Sequence, residues 1–123
     1  MISTRSVLAL NNEFVTVDRL IPPQMMRGYS NPTMLLNVLP YLSYGILLET
    51  EYYNIITSPQ QYFITPPKNA TRAEDISIGE EVLTVYGFQP IKTKVFLNNK
   101  YKMCNIVTES GVFLSDGFYM LSD

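Results

Sequence analysis

The sequence predicts an all-β fold built from many short strands, with little or no helix. Three observations carry this. Turn signals recur at Gly87, Asn98-Asn99, Ser110-Gly111 and Asp116-Gly117, at the spacing of roughly 8–12 residues that marks a sandwich or barrel. The runs between them are rich in Val, Ile, Thr, Tyr and Phe, which fit a pleated, half-buried surface. Finally, Pro22, Pro23, Pro32 and Pro40 exclude a long helix from the N-terminal third, because proline cannot donate a helical hydrogen bond and clashes with the preceding turn.

Each element follows from its residues. Val7–Leu10 and Phe14–Val17 are β-rich runs separated by Asn11-Asn12-Glu13, and Asn tolerates the left-handed backbone of a tight turn. Met34–Leu39 is a helical turn or two, or a buried strand; a run this short satisfies both. Tyr44–Thr57 reads as one long strand or a tight hairpin, stopped by Pro59. Tyr62–Thr65 is a short strand closed by Pro66-Pro67, and Lys68–Arg72 is a polar loop. Ala73–Leu83 is a turn feeding another strand. One domain, residues 1–123, accounts for the whole length.

Composition narrows the function classes. Hydrophobic residues make up 46% of the 123 and charged residues 16%, so the chain is globular rather than disordered. A net charge of −2 gives no global attraction to nucleic acid or an anionic membrane. One local exception is Lys92, Lys94, Lys100 and Lys102, which flank an apolar run with Phe96 and Tyr101. These five residues, the four lysines and Tyr101, form a candidate nucleic-acid contact. The competing reading is the exposed face of a hairpin with lysines protecting its edge, and the acidic balance favours it.

The lone Cys104 allows no disulfide within the chain and no cysteine metal cluster; such a residue usually serves as a small buried apolar group. Asp18, Glu49, Glu51, Asp75 and Asp116 are scattered rather than clustered, so no hard-cation site is expected. No metal and no cofactor are expected. Arg5 is followed by too few apolar residues for a signal peptide, and no apolar run approaches the roughly 20 residues of a membrane span. The expectation is a cytoplasmic protein without a membrane partner.

The segment TSPQQYFITPPKNATRAEDISIGEEVLTV, Thr57 to Val85, resembles the central block of Hint domains, the self-cleaving modules of inteins and hedgehog proteins. Within it, Thr57-Ser58-Pro59-Gln60 is similar to the family's Thr-x-x-His, with Gln60 in place of the histidine. Ala73 to Val82 looks like the family's acidic-Gly turn. Val7 to Val15 resembles the opening hairpin, and Tyr101 to Met120 resembles the closing block. The resemblance covers nearly the whole chain and implies a single Hint-like β domain.

The resemblance also implies a chemistry: an acyl shift by a Cys or Ser at the first position, helped by the Thr and His, and in splicing members a terminal Asn that cyclises. Here the first position falls at Met1 or just before it. Ser3 and Ser6 are the nearest hydroxyls. The chain contains no histidine, and Gln60 hydrogen-bonds but cannot titrate, whereas a proton shuttle wants a pKa of about 6.5. The final residues are Leu121-Ser122-Asp123. Thr57 is then expected to fix the local turn by bonding a backbone group.

These departures lead to the expectation of a non-enzyme: a non-catalytic Hint-like module serving as a structural or protein–protein interaction part of a larger assembly, such as a phage particle. Nine Tyr and six Phe suit a contact surface. Its partners are then other proteins, and its location the cytoplasm or a virion assembled there. The alternative is an autoprocessing domain, or one half of a split one, using Ser3 or Ser6 with Cys104 as an accessory thiol. A second alternative is weak nucleic-acid contact through Lys92–Lys102.

Overall fold

The computed structural model describes residues 1–3, 6–9, 14–16, 24–27 and 32–122, and most of these lie in strands. Among the described residues there is no α-helix, and a single 3-10 turn spans Ala73–Asp75. The all-β expectation therefore holds. The turn expected at Asn11-Asn12-Glu13, and Asp18, lie outside the described residues, although the two runs flanking that turn pair as expected. These are β2 (Val7–Ala9) and β3 (Phe14–Thr16), in register Val7 to Thr16.

The frame is a pair of long strands. β5 runs Pro32–Glu49 and β11 runs Thr93–Thr108, antiparallel over most of their lengths. The ambiguous Met34–Leu39 run is thus strand. Pro40 sits opposite Cys104 of β11, but its other edge is unpaired, because that stretch lies between the pairing with β4 (Gln24–Arg27) and the pairing with β6 (Asn54–Thr57); a strand with one open edge is where proline is tolerated. Tyr44–Thr57 resolves into a hairpin, with β5 turning through Thr50–Tyr53 into β6. Thr50 fixes this turn: its amide donates to the Tyr53 carbonyl at 2.8 Å.

The pair Asn98-Asn99 does not make the expected turn. It lies within β11, in a bulge where Leu97, Asn98 and Asn99 oppose Gly45 alone. Gly45 suits the spot, since a Cβ there would come 2.9 Å from Ile56 Cγ2 and 3.2 Å from Leu97 and Tyr101. Lys68–Arg72, expected as a loop, supplies β8 (Asn69–Arg72), paired with β7 (Tyr62–Thr65).

β1 (Ile2–Ser3) slots between β6 and β11, with Ile2 opposite both Thr57 and Cys104. Because β11 also pairs β5, the ring β11-β1-β6-β5 closes on itself. The second sheet is built from hairpins: β9 (Glu81–Thr84) with β10 (Gly87–Pro90), and β12 (Val112–Ser115) with β13 (Phe118–Leu121). The β12–β13 turn is Asp116-Gly117, with φ of 50° and 85°, a left-handed pair suited to a two-residue hairpin loop. Between the sheets Ile2, Ile46, Leu48, Phe63, Ile76 and Phe118 are fully buried. This core fixes β1, and with it the start of the chain, in the interior.

Candidate functional site

With Ile2 paired on both sides, the backbone of Met1 is held just beyond the sheet ladder. The Ser58 amide donates to the Met1 carbonyl at 2.8 Å. The Met1 α-ammonium donates to Ser58 Oγ at 3.2 Å and to Gln61 Oε1 at 2.6 Å. The other end of the same carboxamide reaches across to the closing strand: Gln61 Nε2 donates to the Leu121 carbonyl at 2.8 Å and to the Tyr62 carbonyl at 3.0 Å. One side chain thus joins the start of β1 to the end of β13.

Local structure explains why these two residues converge. The Gln61 amide donates to the Ser58 carbonyl at 3.2 Å, closing a turn over Pro59-Gln60, and the Ala73 amide donates to the Gln61 carbonyl at 2.8 Å. In β7 Phe63 and Thr65 are buried while Tyr62 and Ile64 are half-buried. That period of two runs back to Gln61, which is buried, and leaves Gln60 exposed. Ser58 is fully buried as well.

The sequence placed this pair at Thr57 and Gln60; the structure moves it one residue on, to Ser58 and Gln61. Gln60 faces solvent. Thr57 is fully buried and donates from Oγ1 to the Ser58 carbonyl at 3.1 Å, the backbone-fixing role expected of it. Phe63 is the signal that finds the right register, because an inward Phe63 puts Gln61, and not Gln60, on the inner face.

The remaining candidates are dispersed. Ser3 and Ser6 are buried and line a cleft of about 170 Å³ with Asn54, Ile55, Ile56 and Asp116. Cys104 packs in the core beside Ile2. Lys94 is drawn inward, donating from Nζ to the carbonyls of Glu74 and Ile76, both at 2.7 Å. Lys100 lies 5.5 Å from the Tyr44 ring centre, and Lys92 and Lys102 are exposed while Tyr101 is half-buried. Lys94, Lys100 and Lys102 all lie on β11 of the β5–β11 ribbon, but the Lys94 ammonium is occupied by the two carbonyls while Lys100 and Lys102 are exposed.

Chemically, the Met1 site is a set of amide and hydroxyl groups with no histidine. It holds an α-ammonium, presents a hydroxyl beside it and donates to a carbonyl; a peptide N–H in the same place, with one proton, would donate to only one of the two oxygens. It cannot take up a proton near neutral pH through Gln61.

No protein-family model matches the sequence, and no curated protein matches it at the sequence level. Solved structures do match. A DnaB intein from Synechocystis sp. PCC 6803 superposes with a TM-score of 0.90 at 12% identity, over 99% of this chain and 97% of that one. The gp41-1 intein does so at 0.89 and 10% identity, over 98% and 97%. The VidaL intein, as a selenomethionine variant, does so at 0.86 and 12% identity, over 98% and 95%. The fold is the intein-like Hint fold along essentially the whole chain. The expectation of a non-enzyme is corrected by this finding: these neighbours are inteins.

Proposed function

We propose that this chain is an autoprocessing Hint-type domain that rearranges its own backbone at the peptide bond to the Met1 nitrogen. One observation carries the reading: the Gln61 carboxamide accepts from the Met1 α-ammonium, the group this reaction would release, at 2.6 Å and donates to the Leu121 carbonyl at 2.8 Å. This holds the start of β1 against the end of β13, with the Ser58 hydroxyl beside the Met1 nitrogen, and proximity of reacting groups is worth several kcal/mol of barrier, on the order of 7–11 in well-oriented cases.

Met1 has no nucleophilic group, so the hydroxyl beside it takes the role. Ser58 Oγ lies 3.2 Å from the Met1 nitrogen, and the carbonyl carbon of a preceding residue would be only about 1.33 Å from that nitrogen. Attack forms a Ser58 Oγ–C bond and breaks the C–N bond. The hydroxyl proton passes to the Met1 nitrogen, and Gln61 Oε1 accepts a hydrogen bond from the amine that results. Water then hydrolyses the Ser58 ester. Hydroxyl nucleophiles are weak without a base, so this is a slow, single-turnover reaction.

A second reading has its own observation. Ser3 and Ser6 share their cleft with Asp116, a carboxylate able to accept a hydroxyl proton, and either serine can attack the peptide carbonyl before it. A reporter fused upstream of Met1 separates the readings by intact mass and cleavage position. Cleavage at Met1 that is lost in Ser58→Ala supports the first. Cleavage before residue 3 or 6, lost in Ser3→Ala or Ser6→Ala, supports the second. An unchanged full-length mass from pH 6 to 9 with hydroxylamine refutes both.

A further inference from the structure

The Leu121 carbonyl is held by a side-chain amide, and the next residue is a serine. We infer that Leu121–Ser122 is a second, self-processed bond, cleaved through an N-to-O acyl shift by Ser122. It goes beyond the Met1 reaction, because bond, nucleophile and leaving group are all different; only Gln61 is shared.

The groups around this bond are held by named partners. The carbonyl oxygen of Leu121 accepts from Gln61 Nε2 at 2.8 Å, so a donor already sits on the oxygen where negative charge would develop. The Ser122 amide donates to the Gly111 carbonyl at 2.8 Å, so the leaving nitrogen already faces an acceptor that favours the protonated amine. Ser122 Oγ lies 3.5 Å from the Thr108 amide and 3.5 Å from Thr108 Oγ1. Thr108 Oγ1 donates its own proton to the Val112 carbonyl at 3.0 Å, which leaves its lone pairs toward the Ser122 hydroxyl. The amide of Thr108 favours negative charge on the attacking oxygen.

Ser122 Oγ attacks the Leu121 carbonyl carbon, closing a five-membered ring. The C–N bond breaks, the hydroxyl proton moves to the Ser122 nitrogen, and Leu121 is left as an ester on Ser122 Oγ. Water, or an added amine such as hydroxylamine, attacks the ester carbonyl. That step frees the Ser122 hydroxyl and leaves Leu121 as a carboxylate or a hydroxamate.

The test is a folded reporter fused after Asp123, incubated with hydroxylamine and read by intact mass. The expected product ends in a Leu121 hydroxamate, with the reporter fragment beginning at Ser122. Ser122→Ala abolishes it, Ser122→Cys converts it to a thioester that free thiol intercepts, and Gln61→Leu slows it by about a hundredfold, the usual cost of an oxyanion donor. An intact fusion, or cleavage that survives Ser122→Ala, overturns the inference. The upstream reporter at Met1 is released or retained independently, so failure of this reaction and failure of the Met1 reaction are told apart in separate fragments.

Discussion

Two glycines that both have positive φ should respond differently to alanine. Gly79 has φ of 95° and Gly117 has φ of 85°, so each substitution forces a left-handed residue at about 1–2 kcal/mol. The stiffening of the unfolded chain is common to both and cancels. A Cβ at Gly79 meets nothing within 4 Å, whereas one at Gly117 falls inside contact distance of the Tyr53 ring. Tyr53 cannot swing away freely, because it packs 6.4 Å from Phe118 and stacks 5.9 Å from Tyr86 between ring centres. Overpacking of this kind adds about 1–3 kcal/mol. Gly79→Ala should therefore cost about 1–2 kcal/mol and Gly117→Ala about 2–5, by urea denaturation. In a Tyr53→Ala background the extra cost of Gly117→Ala should vanish, since the two positions couple only through that ring. Equal losses at the two glycines, or a penalty unchanged by Tyr53→Ala, would refute the reasoning.

Three further outcomes are expected. Lys94→Met keeps the methylene stem but deletes two charged donors to the carbonyls of Glu74 and Ile76; a loss of about 1–3 kcal/mol should appear as a lower urea midpoint. Burial, then the neighbouring Tyr86, raises the Tyr53 phenol above its ordinary 10.0. The contribution is fully present below the unfolded value and is lost as pH rises through the folded one. Wild type should thus shed stability above pH 10 more steeply than Tyr53→Phe, followed by denaturation at stepped pH. Processing at Met1, having no histidine to titrate, should show no inflection near pH 6.5 or so in a rate profile read by intact mass.

Much of the fold was legible because its signals are local. Asp116-Gly117 demands a left-handed pair whatever surrounds it, and the alternation through Tyr62–Thr65 fixes which face is buried. What escaped depends on distant partners. Asn98-Asn99 has turn chemistry, but β5 runs alongside and absorbs the excess residues as a bulge opposite Gly45. Pro40 signals a break, yet it sits where β5 has a neighbour on one edge only. Lys68–Arg72 looks polar enough for a loop, and becomes a strand by pairing with β7.

The site was legible in place and wrong in register. Thr57-Ser58 offers two adjacent hydroxyls and Gln60-Gln61 two adjacent amides, so residue type cannot choose between them. A shift of one residue moves a side chain to the opposite face of a strand, which separates solvent-facing Gln60 from Gln61 at the Met1 nitrogen. Ser122 had no signal in sequence at all; its relation to Gln61 exists only once β13 closes against β7.

Intact-mass analysis of a reporter–Met1 fusion, alone and with Ser58→Ala or Gln61→Ala, addresses the centre of this account. The expected result is slow release of the reporter at the Met1 nitrogen, abolished by Ser58→Ala and slowed at least tenfold by Gln61→Ala. A fusion that stays intact under hydroxylamine, or release that survives both substitutions, would contradict it.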